Sequence, residues 1–368
     1  MKKILYNYWG HLSDKIGISS PDGNFSYLWS VFREFQNRDI DVYNVVDRDK
    51  ESIEKYNKEA FASFSQEKRW DMYNKIKFIG LESALKSDFP NDIDLLIMEW
   101  RMKTKDNQSG ASPDLQIQNN ILNFYKDKNK PLRIIDLDYT ISNDDEKSIL
   151  DLGYKNVKIL EQGLFPQKQI IDRETFYIPF DFEDMLQFET PLPNRKNLLS
   201  YVGNFYNREE DINTKISPFA KNNPGRVHFF GNWMKDELAE FRSKNKGIIF
   251  HDRIGAQEFR EAIGPACAVP LLSPNNYKTN GVMTMRILES LLFGSIPIGF
   301  SDFKGIENWL PKELIVKMDK DGYIDSMNEV VDNLSRMTWT KRNVLRRDLV
   351  KNLENKHTNW KFVNQLIK

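Results

Sequence analysis

Cysteine is nearly absent from this 368-residue chain, with Cys267 the single one present. An intrachain disulfide needs two cysteines and a cysteine-built zinc cluster needs several, so both are excluded. A reducing compartment, the cytoplasm, is the natural setting. Long apolar runs are missing too, since none approaches the roughly 18–20 residues that span a bilayer. The first residues, MKKILYNYWG, begin like a signal peptide, but Asn7 and Gly10 interrupt the apolar run, which reads better as a first buried strand. Charge of one sign is lacking: Lys+Arg and Asp+Glu number 53 each. That balance removes the compositional argument for a nucleic-acid partner but leaves room for a local basic footprint. No repeat of fixed period and no low-complexity tract occurs. The G-x-G-x-x-G fingerprint is absent, which leaves a dinucleotide oxidoreductase without support.

What is present suits a sizeable α/β protein of two ordinary domains, 40% hydrophobic and 12% aromatic. Short apolar segments at 3–8, 41–46, 93–98, 132–137 and 157–160 read as parallel strands, with 157–160 as the last of the first domain and 177–180 as a strand leading out of it. Between the first two lies a Gly-containing loop and an amphipathic helix over 25–37. In such βαβ sheets ligands sit at the carboxyl ends of the strands. His11 and Asp22 lie in that first loop, where the plain readings are a solvated His and an Asp-Gly turn. Glu99, Trp100 and Arg101 follow the third strand. Asp136, Leu137 and Asp138 form a D-x-D triplet with a metal-like look. The acidic run Asp144–Glu146 fits the first turn of a helix, where the dipole favours carboxylates. Composition shifts to a Pro-containing linker over 181–196.

The second half repeats the alternation. Strands are expected at 198–202, 227–230, 247–250, 268–272, 296–300 and 314–316, with helices over 256–263, 327–337 and 341–353. The stretch organising this half is TMRILESLLFGSIPIGFSDFKG, residues 284–305. Here an apolar helix carries Glu289, with Arg286 one turn earlier on the same face, and then gives way to Gly294, Pro297 and a buried strand. An ionised carboxylate is acceptor-only and takes two hydroxyl donors well; the alternative for Glu289 is an ordinary helix-surface residue. From Ser335 to Lys368 nine Lys/Arg stand against two acids, which fits either a solvated helix surface or a phosphate-facing patch.

The 284–305 segment and the string SYVGNFYNRE, residues 200–209, resemble the C-terminal half of GT-B glycosyltransferases of the spore-maturation type and their phage relatives. The resemblance covers much of the second half and, more loosely, the first strand-loop-helix. It implies two Rossmann-like domains facing each other across a cleft: 1–185 on the acceptor side, 196–350 on the nucleotide-sugar side, and 351–368 as a C-terminal helix crossing back. It further implies that Glu289 accepts the ribose hydroxyls of the donor. On the same resemblance, Gly203 and Asn204 sit where backbone N–H groups approach a diphosphate, and the first loop faces the acceptor, which makes His11 and Asp22 candidates for acceptor contact or general base. Arg286, Arg253 and Arg208, with Lys278 besides, supply positive charge. No metal and no cofactor is implied, the donor being a nucleoside-diphosphate sugar, UDP-linked for preference.

Function follows as an expectation: transfer of a sugar to a hydroxyl, with a hydroxymethylated base such as 5-hydroxymethylcytosine in double-stranded phage DNA as acceptor. A bacterial surface or spore glycan is the competing acceptor. A sugar-nucleotide epimerase and a non-catalytic nucleotide-binding protein of the same build stay open.

Overall fold

A computed structural model describes residues 2–7, 31–46, 75–100, 113–137, 139–167, 169–179, 197–254, 256–320 and 322–368. His11, Asp22, Arg101, Asp138 and the 181–196 linker lie outside the described residues. The chain divides into two compact units, which meet in sequence at Pro179/Phe180 and again at Lys356/His357.

The first unit is built on seven parallel strands: β1 Lys3–Asn7, β2 Asp41–Val45, β3 Lys77–Ile79, β4 Leu95–Glu99, β5 Leu132–Asp136, β6 Val157–Gln162 and β7 Arg173–Phe176. Their order is β3-β2-β1-β4-β5-β6-β7, with every neighbouring pair parallel. Strands covered on both faces must be apolar throughout, and β4 and β5 are buried along their whole length. Leu5, Leu96, Met98, Ile134 and Ile159 join Ile117 and Ile121 of the Pro113–Tyr125 helix in one core. The three-residue β3 escaped the sequence reading, and β7 stands just before 177–180, where the outgoing strand was expected.

The acidic run on the Asn143–Asp151 helix is structural. Ser142 caps that helix, and its backbone N–H is in turn bound by Asp145. Glu146 lies buried against Arg173, which also pairs with Glu161. Asp136 is spent locally, its carboxylate accepting the backbone N–H groups of Thr140 and Ile141, each at 3.0 Å.

The terminal helix, Asn359–Ile367, belongs to this first unit. Phe362 stacks on Phe176 at 4.7 Å, Gln365 donates to the Thr175 carbonyl at 3.0 Å, and His357 Nδ1 lies 2.6 Å from the Ile178 carbonyl. Of the apolar residues Trp360, Phe362, Val363 and Leu366, which fall at helical spacing, the last three are the face it buries and Trp360 is exposed.

The second unit has six parallel strands: β8 Asn197–Val202, β9 Val227–Phe230, β10 Ile248–His251, β11 Ala266–Pro270, β12 Pro297–Phe300 and β13 Ile315–Val316. Their order is β10-β9-β8-β11-β12-β13. In both units the strand order therefore reverses beside the first strand, between β1 and β4 and between β8 and β11. Such reversal points open a crevice at the carboxyl ends of the strands.

The Trp339–Glu354 helix closes this unit and accounts for part of the basic C-terminal charge. Arg342 and Arg346 are buried, donating to the carbonyls of Ala266 at 2.8 Å and Leu291 at 2.5 Å. Charged donors of this kind contribute about 1.5–3 kcal/mol each. They complete the start of β11 and the end of the Arg286–Leu292 helix, and they face no solvent.

Candidate functional site

At the carboxyl end of β8 the chain turns through Gly203, whose N–H donates to the Phe230 carbonyl at 2.9 Å. A Cβ at Gly203 would stand 2.5 Å from the Tyr201 hydroxyl oxygen. A Cβ at Gly231, which has φ +154°, would collide with the Gly203 carbonyl. Two strand-end loops thus nest backbone to backbone, and glycine is what permits it. Asn204 ties the same two loops, accepting the Asn232 N–H at 3.2 Å. Arg208 commits its guanidinium to carbonyls of Leu272 at 3.3 Å, Asn204 at 3.3 Å and Tyr206 at 2.8 Å. Leu272 follows β11, so Arg208 bridges the two strands flanking the reversal point.

Lys278 sits on the Asn275–Asn280 helix after β11, which Gly281 ends in the left-handed conformation. Its ammonium is held by Asp211 at 2.8 Å and Asp302 at 3.0 Å. Lys215 binds the same two carboxylates, each at 2.7 Å. Asp211 and Lys215 lie on the helix that follows β8, Lys215 within its π-helical turn Ile212–Ile216. Asp302 follows β12. Two cations and two anions alternate in this quartet, and they join the ends of three adjacent strands. Burial by itself would lower the Lys278 pKa; the hydrogen bonds to Asp211 and Asp302 outweigh it and hold the group above its ordinary value. Burial would likewise raise Asp302, but Lys215 and Lys278 outweigh it and hold its carboxyl below the usual range. Burial, with Asp302 and Asp211 nearby, pushes the Tyr323 phenol up to about 12.

Glu289 lies on the Arg286–Leu292 helix. It is the middle residue of this 7-residue helix, in its first turn and about one turn before its end. Its side chain is 11% exposed and pairs with Arg286 at 2.8 Å. The Arg286 guanidinium also lies 5.0 Å from the ring of Phe259, on the Ala256–Ile263 helix. Phe259 packs in turn with Val202 and Val269 of β8 and β11. The pair is therefore anchored beside the reversal point. Gly294, with φ +87°, ends this helix before β12.

Arg253 is exposed on the loop after β10, the edge strand of this sheet. His251, at the end of β10, meets His228 of β9, with Nε2 to Nδ1 at 3.0 Å. His228 Nε2 faces the Gly225 carbonyl at 3.3 Å, which fixes the proton on that nitrogen and makes His251 the donor within the pair. Desolvation holds both imidazoles below their ordinary pKa.

In the first unit the reversal point carries Asn7 at the end of β1 and Glu99 at the end of β4, both buried. Tyr6 donates its hydroxyl to Glu99 at 3.3 Å. A carboxylate buried at a strand end is the residue the sequence named only in passing. The signal was present in its place directly after an apolar run.

No three of His, Cys, Asp or Glu gather as a metal-binding group among the described residues. No described helix is long and apolar enough to cross a membrane.

No family model matches the chain, and no curated protein matches it either. Solved structures do. A DNA-modifying β-glucosyltransferase, solved with and without uridine diphosphoglucose, is 15% identical, with a TM-score of 0.60 over 99% of this chain and 98% of its own. Anabaena Alr3699/HepE in complex with UDP and glucose is 11% identical, with a TM-score of 0.58 over 100% and 98%. The trehalose-6-phosphate synthase OtsA is 10% identical, with a TM-score of 0.57 over 100% and 99%. The chain has the two-sheet α/β fold of GT-B glycosyltransferases.

Proposed function

We propose that this chain is a glycosyltransferase that moves a sugar from a nucleoside-diphosphate donor, UDP-linked, to the hydroxyl of a hydroxymethylated base such as 5-hydroxymethylcytosine in double-stranded DNA. The observation that carries the reading is the Arg286–Glu289 pair, a buried carboxylate and a guanidinium on one helix turn at the carboxyl side of a doubly wound sheet. That is the chemistry a nucleoside diphosphate asks for: an acceptor-only group for two ribose hydroxyls and a cation for the phosphates. The DNA acceptor is supported by the likeness to the DNA-modifying β-glucosyltransferase. The scarcity of cysteine, with Cys267 alone, fits action in a reducing compartment, the cytoplasm.

In this reading Glu289 holds the ribose, and Arg286, with Arg253, faces the diphosphate. The backbone of Gly203 and Asn204 lines the phosphate path. Arg208 and Lys278, already engaged by carbonyls and carboxylates, shape the loops rather than touch the donor. Positive charge near the leaving diphosphate stabilises the charge that develops as the glycosidic bond breaks. The acceptor hydroxyl loses its proton to a general base, for which His11 and Asp22 are the candidates the sequence offers.

The test offers hydroxymethylated duplex DNA and a panel of nucleotide sugars, then digests the DNA and weighs the nucleosides. A hexose added to hydroxymethylcytosine is the expected result. Diphosphate release with a glycan acceptor but none with DNA would overturn the DNA acceptor. Conversion of the donor with no acceptor present would point to an epimerase. No turnover of any donor would remove the enzyme reading.

A further inference from the structure

The cations around this site are already occupied. Arg208 spends its donors on three carbonyls, Lys278 on two carboxylates, and Arg286 faces Glu289. A diphosphate arriving at Arg286 meets a guanidinium whose charge is countered 2.8 Å away, and a ribose arriving at Glu289 meets a carboxylate with a cation against it. The pair is also imperfect as a hydrogen bond. Arg286 Nη1 is buried and makes no aligned hydrogen bond, although it lies within ion-pair distance of Glu289. Phe259 below the guanidinium and the helix beneath both residues hold them in place.

We infer that the Arg286–Glu289 pair is a latch that only a ligand carrying both a ribose and a phosphate opens at little cost. This rests on the donor-site reading above. Ribose hydroxyls replace the guanidinium as partners of Glu289. The same event releases Arg286 to the phosphate, whose two oxygens suit its planar fork. A nucleoside alone separates the pair and leaves a buried cation without its anion. Inorganic pyrophosphate alone separates it and deprives the Glu289 carboxylate of Arg286, again a costly loss. A nucleoside diphosphate leaves neither. The pair therefore couples the two halves of the donor, so that the nucleotide binds more tightly than its pieces imply. It also turns away the free phosphates and nucleosides that share those pieces.

The experiment is calorimetric titration of the full chain with UDP, uridine and inorganic pyrophosphate, on the wild type and on Glu289→Gln. Glutamine keeps the size of the side chain and removes the charge that holds Arg286. The latch requires opposite changes in the variant, with UDP weakened and pyrophosphate strengthened about tenfold, the scale of one charged hydrogen bond. The mirror variant, Arg286→Gln, should strengthen uridine while weakening UDP, and Arg286→Lys should restore part of the UDP affinity. The mirror pair also gives a second reading should one variant fold poorly, as its melting curve would reveal. UDP bound by the wild type with pyrophosphate unchanged or weaker in Glu289→Gln would overturn the latch and leave the donor site standing. Failure of the wild type to bind UDP, GDP, ADP or CMP would overturn both.

Discussion

Replacing Asp302 by asparagine should destabilise the second unit by an amount the geometry sets. Asp302 meets the Lys215 ammonium with both oxygens, at 2.8 and 2.7 Å, and meets Lys278 at 3.0 Å. In the variant two ammoniums are left with Asp211 as the remaining carboxylate of the quartet. The Lys215 side chain is 2% exposed, so water does little to replace the lost anion, and the new amide turns a donor towards a cation. Stranding a fully buried charge costs about 3–5 kcal/mol. The Asp302 side chain is 31% exposed, which brings the figure to about 2–3 kcal/mol through solvent screening. For a unit of this size that is about 5–10 °C of melting temperature. Differential scanning calorimetry of the wild type, Asp302→Asn and the double variant Asp302→Asn/Lys278→Met reads it. The double variant leaves Asp211 and Lys215 paired at 2.7 Å and charge-balanced, so it should recover at least half of the loss. A single variant melting within a degree or two of the wild type, or a double variant lower still, would refute the quartet as a balanced buried unit.

Two further outcomes follow from the same loops and strands. Gly231→Ala should weaken nucleotide binding and lower the melting temperature, because its Cβ meets the Gly203 carbonyl at a backbone angle that L-residues avoid; melting and UDP titration unchanged from the wild type would show that the loops separate freely. Stability should also fall as pH drops from about 7.5 to 5.5. Desolvation depresses His228 and His251 in the folded chain, so below the ordinary value of about 6.5 the unfolded chain takes up protons that the folded one refuses. His228→Gln should flatten that slope in melting curves, and an unaltered slope would assign it to other groups.

The parallel sheets were largely legible in the sequence, since a strand covered on both faces has to be an unbroken apolar run. LLIME at β4 and LRIID at β5 show it, as their buried lengths attest. The short β3 and the polar RETF of β7 lacked that signature, and β7 stands just before the strand expected at 177–180. Glu289 and Arg286 stood out because helical spacing puts them on one face, and they do pair. The partners of Lys278 and Arg208 were illegible. Asp211, Asp302 and the Leu272 carbonyl come from separate strand ends, and only the strand order brings them within reach. Within the C-terminal basic excess, Arg342 and Arg346 are inside, where they bind strand and helix carbonyls, which a count of charges does not reveal.

The central claim is that the second unit grips a nucleoside diphosphate through Glu289. Calorimetric titration of UDP into the wild type and into Glu289→Ala tests it most directly. The account predicts measurable binding by the wild type and a loss of about 1–3 kcal/mol in the variant, the worth of a charged hydrogen-bond partner. Equal affinity in two well-folded proteins would contradict it.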